Sequence, residues 1–126
     1  MTEDEIAKLI VQAAHNVHVE LGPGSLESAY KACLIYELKN LGLKVSSQVM
    51  LPVVYREVNL DCGYRIDILV EEKVIIEMKV VSELNNVDFT QALTYLKLSN
   101  CKLGLLINFN VSRIKDGIRC IVNGYL

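Results

Sequence analysis

Proline is almost missing from this 126-residue chain, with 2 residues, and glycine is held to 7. With 52% hydrophobic and 22% charged residues, that excludes a disordered, collagen-like or low-complexity polymer. The four cysteines, Cys33, Cys62, Cys101 and Cys120, stand far apart and form no CxxC or CxH pair. A zinc knuckle or disulfide framework is therefore not expected, and free thiols in a reducing compartment are the simpler reading. An excess of one charge is also lacking: 13 basic residues face 15 acidic ones, a net charge of −2. The chain is no polycation, so contact with nucleic acid must come from a local patch. No apolar run approaches the roughly 18 residues that a membrane helix needs. Met1-Thr2-Glu3-Asp4-Glu5 lacks the basic start of a signal peptide. A soluble, cytoplasmic domain with no membrane partner is the expectation. No Walker loop, G-x-S-x-G elbow or dinucleotide fingerprint is present.

What is there fits one domain over residues 1–126. Thr2 and Glu5 have capping-box spacing, and Ile6, Ile10, Ala13, Ala14 and Val17 recur at helical spacing up to Gly22-Pro23-Gly24. A second helix is expected from Ser25 to about Asn40, with Leu26, Ala29, Tyr30, Cys33, Leu34 and Leu38 as its apolar stripe. Lys44 to Tyr55 alternates like a strand, with Pro52 marking an edge or bulge. Gly63 to Val70 and Lys73 to Val81 read as an antiparallel hairpin. Val87 to Ser99 returns to helical spacing, Leu103 to Phe109 is a buried strand, and Arg119 to Val122 suggests a last one. The order α-α-β-β-β-α-β-(β) predicts an α/β domain with a mixed central sheet flanked by helices.

The hairpin carries the chemistry. Asp67, Glu77 and Lys79 stand inside strands that otherwise want Ile and Val. Glu77 and Lys79 share a face, about 7 Å apart along the strand. If Asp67 lies across from Glu77, two carboxylates meet, and a bound Mg2+ or Mn2+ ion would relieve their repulsion. Lys79 could then hold a nucleophilic water or steady the transition state. This sets a condition on register. A two-residue turn at Glu71-Glu72 pairs Asp67 with Ile76 and separates the acids, whereas a three-residue turn, Glu71 to Lys73, pairs Asp67 with Glu77. The competing reading is a solvated sheet face.

These residues also carry a resemblance. Asp67 followed by Glu77-Met78-Lys79 resembles the core signature of the PD-(D/E)XK nuclease superfamily, with Ile66 where the name has proline. Gly24-Ser25-Leu26-Glu27-Ser28-Ala29-Tyr30 matches the G-x-x-E-x-x-Y signature of one small branch. The likeness extends through Val17-His18, Glu20 to Gly24, Leu60 to Arg65, Gln91 to Tyr95 and Leu105 to Asn110, nearly the whole chain. It implies a restriction-endonuclease-like sheet with the acidic pair on adjacent strands. It further implies Asp67 and Glu77 as metal ligands with the Met78 carbonyl helping, Lys79 as catalytic lysine, and Glu27 as an extra acid. Gln91 and Tyr95 resemble a Q-x-x-x-Y element beside the site. Read alone, Glu27 suits a helix N-terminus through the macrodipole, and Gln91 and Tyr95 suit an amphipathic boundary helix.

Lys97, Lys102, Arg113, Lys115 and Arg119, against Asp116 alone, form either a nucleic-acid-facing patch or a solvated basic face. His15 and His18 have i, i+3 spacing that zinc could use, but a surface or packed pair is the plainer reading. Cys62 lies near the proposed site without a histidine to activate it, and reads as a buried thiol. The sequence thus points to a metal-dependent phosphodiesterase acting on nucleic acid, with DNA the expected partner. The rival is a non-catalytic nuclease-fold module that binds nucleic acid or a protein. A chain this short could also form a homodimer to build a substrate channel.

Overall fold

The computed structural model describes residues 1–60 and 64–124. Cys62 and the start of the second strand expected at Gly63 lie outside the described residues. Helix α1 (Glu3–Leu21) opens with the expected capping box, Thr2 accepting from the Glu5 amide while Glu5 accepts from the Thr2 amide. Its buried stripe is Ile6, Ile10, Ala13, Ala14, Val17 and His18. Helix α2 begins at Glu27 and ends at Asn40. Leu26 is its N-cap and 75% exposed, so it does not belong to the apolar stripe, whose buried members are Tyr30, Leu34 and Leu38.

The segment expected as one strand is divided. β1 (Val45–Met50) stops at Leu51-Pro52, and β2 (Val53–Tyr55) pairs with β3 (Val58–Leu60) as a separate two-stranded hairpin. The strand β3 was not anticipated. Its tight turn places Arg56 at φ +56, a conformation no glycine announces. β4 (Arg65–Val70) and β5 (Val74–Lys79) form the expected hairpin, α3 (Asn86–Ser99) follows, and β6 (Leu103–Asn108) is buried throughout. A short 3-10 turn (Ile114–Gly117) leads into β7 (Ile118–Val122).

The main sheet has the order β1-β4-β5-β6-β7 and is antiparallel except for the parallel pair β5–β6. That parallel pair needs a crossover, and α3 supplies it. The helices α1 and α2 cover one face, packing on Ile68, Val70, Ile76, Met78, Leu105 and Ile107. On the other face α3 packs through Leu96 over Ile66 and Ile75. The α/β architecture with a mixed sheet between helices is the one the sequence predicts. Among the described residues, no helix is long and apolar enough to cross a membrane.

Candidate functional site

The hairpin pairs Val70 with Val74, Leu69 with Ile75 and Ile68 with Ile76. Its turn is therefore Glu71-Glu72-Lys73, the three-residue alternative, and the register continued by one residue sets Asp67 opposite Glu77. Glu71 and Glu72 adopt φ of +53 and +57 there, a strained choice for non-glycine residues. Both are tied to Lys44: its amide donates to Glu71 Oε2 at 2.6 Å and its ammonium to Glu72 Oε1 at 2.9 Å.

At Asp67 the strand changes face. Ile68 packs under α1 and α2, whereas Ile66 packs under α3, although residues two apart in a regular strand share a face. The pairing breaks at the same level. In β1 the residue opposite Asp67 is Gln48, at φ +51, and the β1–β4 ladder omits that pair while running on both sides of it. The β4–β5 ladder ends at Ile68, and the Met78 amide donates instead to Asp67 Oδ2 at 3.2 Å. Backbone strain thus gathers where the chain turns a carboxylate into the sheet, as strained residues often do at functional sites.

Glu77 lies beside it at 7% exposure, and its Oε1 is buried without a hydrogen-bond partner. Burial, and then the Asp67 charge, push its carboxyl up to about 7, against the pull of the Asp67 amide, Lys79 and Lys31. The Tyr95 phenol is also raised, by burial and then by Glu77, with the Arg65 amide opposing; its ring meets Tyr64 edge-on at 6.2 Å. Lys79 projects toward α3, where its ammonium donates to Gln91 Oε1 at 3.1 Å and lies 3.7 Å from Asp88 Oδ1. From the other side, Lys31 of α2 brings its ammonium to 3.9 Å from Asp67 Oδ1.

The fold thus gathers Asp67, Glu77, Lys79, Gln91 and Tyr95. Met78 points its side chain into the core, leaving only its backbone for the site. Glu27 is exposed at the first position of α2, one turn before Lys31. Among the described residues, no three of His, Cys, Asp and Glu are grouped closely enough to hold a metal, so Glu27 is not a direct third ligand beside Asp67 and Glu77 in this structure. The five basic residues do not share one place. β5 and β6 run parallel, with Val74 level with Leu103 and Lys79 level with Asn108, so Lys102 lies at the sheet end away from Lys79. Lys97 stands in the last turn of α3, a few residues before β6 begins at that same end. The Arg119 guanidinium donates to the carbonyls of Asp116 and Ile118, while Arg113 and Lys115 line a cavity beside α1. His18 Nε2 is 2.8 Å from the Val111 carbonyl, which makes it a packed donor, the plainer of its two readings.

Sequence reasoning did not assign Lys31 and Asp88 to the site. Their helical spacings were the available signal: Lys31 is i+4 from Glu27, and Asp88 is i−3 from Gln91. Asp88 serves twice, since its other oxygen accepts from the Asn85 amide in the capping box of α3.

The tyrosine of the Gly24 to Tyr30 signature has a structural task. It is buried, stacks on Phe109 with centroids 4.6 Å apart, donates its hydroxyl hydrogen to the Gly22 carbonyl and accepts from the Ser25 amide. It pins the turn in which Gly24 sits at φ +94, where a side chain would be strained.

A hard dication fits this donor set. Mg2+ takes one or two carboxylates and completes its shell with water and phosphate oxygens, and Glu77 Oε1 is a buried acceptor in need of a partner. No curated protein and no solved structure matches the chain. The family model for the PD-(D/E)XK nuclease superfamily matches residues 4–121, and the matched span includes every residue of the site. The chain belongs to the PD-(D/E)XK nuclease superfamily.

Proposed function

We propose that the protein is a metal-dependent nuclease that hydrolyses phosphodiester bonds in DNA, and that it falls in the branch named for the G-x-x-E-x-x-Y signature. The observation that carries this reading is Glu77: a carboxylate buried beside a second carboxylate, with one oxygen unpartnered. Asp67 and Glu77 would hold Mg2+ or Mn2+, with the Met78 carbonyl as a further ligand and Glu27 acting through water. The bound ion would supply Lewis-acid stabilisation of the scissile phosphate and an acidified water. Lys79, steadied by Gln91, directs its ammonium at the attacking water or a phosphate oxygen and offsets the charge that develops there. Tyr95 walls the carboxylate side of the site, and Lys31 neutralises Asp67 from α2. Hydrolysis proceeds in line, without a covalent intermediate. The acid-acid-lysine set of Asp67, Glu77 and Lys79 is complete, which favours the enzyme over a non-catalytic module.

The test is incubation with plasmid, linear and single-stranded DNA and with RNA, in Mg2+, Mn2+ or EDTA. DNA should be cut only with metal, and Asp67→Asn should stay folded and silent. Cutting in EDTA, or wild-type cutting by the variant, overturns the reading.

A further inference from the structure

A cavity of about 440 Å³ lies between α1, the Gly22-Pro23 turn and the segment 112–115. Its walls carry His15, His18, Ser112, Arg113 and Lys115, and no carboxylate. In a chain of net charge −2 this is a local concentration of cations and hydrogen-bond donors. Arg113 and Lys115 are exposed, and Asp116 reaches Arg113 at Nε, 3.6 Å away. Both side chains of that pair are exposed, so water screens it and leaves most of the Arg113 charge to a ligand.

The cavity is tied to the site from two directions. His18 donates to the Val111 carbonyl, two residues beyond Phe109, whose amide donates to the Lys79 carbonyl at 3.2 Å. On the other side, the Gly22 carbonyl accepts from Tyr30, the residue before Lys31. The pocket wall and the two lysines of the site are thus linked through a few bonded residues at one end of the sheet.

We propose that this cavity binds a backbone phosphate of the nucleic-acid strand, away from the scissile bond, with Arg113 and Lys115 supplying the charge and Ser112 and His15 the hydrogen bonds. The proposal rests on the nuclease reading for its choice of ligand. A guanidinium and an ammonium over a donor-lined hollow suit a phosphodiester, which offers charge and acceptor oxygens without sequence information. The result is a contact that holds the strand in register while Asp67, Glu77 and Lys79 act on a neighbouring linkage.

The experiment measures binding of fluorescein-labelled 20-mer single-stranded and duplex DNA by anisotropy in EDTA, across a salt series. It compares wild type with Arg113→Ala/Lys115→Ala and with Lys8→Ala/Lys39→Ala, which removes the same charge elsewhere. The pocket variant should bind about tenfold more weakly, with a log–log salt slope shallower by about 1 to 2. The control should stay within about twofold. Equal losses in both variants, unchanged binding by the pocket variant, or no binding by wild type overturns the proposal. Cleavage in Mg2+ is scored separately. Wild type that binds through the pocket but cuts nothing defeats the nuclease reading and leaves the pocket standing. Wild type that cuts while the pocket variant binds normally does the reverse.

Discussion

Replacing Glu77 by glutamine should stabilise the protein without metal, and the gain should grow with pH. Burial and Asp67 raise the Glu77 carboxyl from 4.5 to about 7. Its folded-state pKa therefore exceeds the unfolded one. The stability it contributes is present in full below pH 4.5 and is lost as pH rises through 7. At about 1.36 kcal/mol per pKa unit, the loss approaches about 3 kcal/mol by pH 8.5. Glutamine keeps the shape and does not titrate. Glu77→Gln should thus match wild type near pH 4.5 and exceed it by about 3 kcal/mol at pH 8.5, roughly 10 °C in Tm for a domain of this size. Denaturant unfolding in EDTA across pH 4.5–8.5 measures the difference directly, because titration of groups that do not interact with Glu77 cancels between the two proteins. Mg2+ should restore wild type more than the variant. A difference that stays flat with pH would refute the argument that an ionised Glu77 is held there at a cost.

Three further outcomes follow from the packing. Tyr30→Phe leaves the Gly22 carbonyl and the Ser25 amide without their partner, and should cost about 1–3 kcal/mol in denaturant unfolding. Asn108 is buried, and its amide bridges both the amide and the carbonyl of Val81, just past Lys79, while accepting from the Asn110 amide. Asn108→Ala should therefore cost about 2–3 kcal/mol by the same assay and lower cleavage with it. Gly117 lies against the Asn108 carbonyl with no room for a Cβ, so Gly117→Ala should lower Tm, at a cost of about 1–3 kcal/mol.

Much of this was legible in the sequence, for identifiable reasons. Helix α1 announced itself by its capping box and stripe, and β6 by its unbroken apolar run. Asp67, Glu77 and Lys79 stood out because charges inside Ile- and Val-rich strands oppose burial. The turn that joins the acids is one of two that the sequence allows. No glycine or asparagine marks it, and Glu71 and Glu72 adopt positive φ with support from Lys44, 27 residues away or more. The face change at Asp67 was hidden for a similar reason, since it needs the matching distortion at Gln48 in another strand. Arg56 concealed the β2–β3 turn in the same way. Lys31 and Asp88 reach the site through tertiary packing of α2 and α3, which no local pattern specifies. The basic residues looked like one group in sequence because they fall in one stretch, but the parallel β5–β6 pairing sends Lys102 to the far end of the sheet.

In the proposed reaction Lys79 acts with Asp67 and the buried Glu77 in metal-dependent phosphodiester hydrolysis. It is tested most directly by single-turnover cleavage of DNA in Mg2+, with wild type and Lys79→Ala purified in parallel and shown to be folded. Wild type should cut, and the variant should lose on the order of 100-fold or more. Equal rates for the two proteins, or a folded wild type that cuts no nucleic acid in either metal, would contradict it.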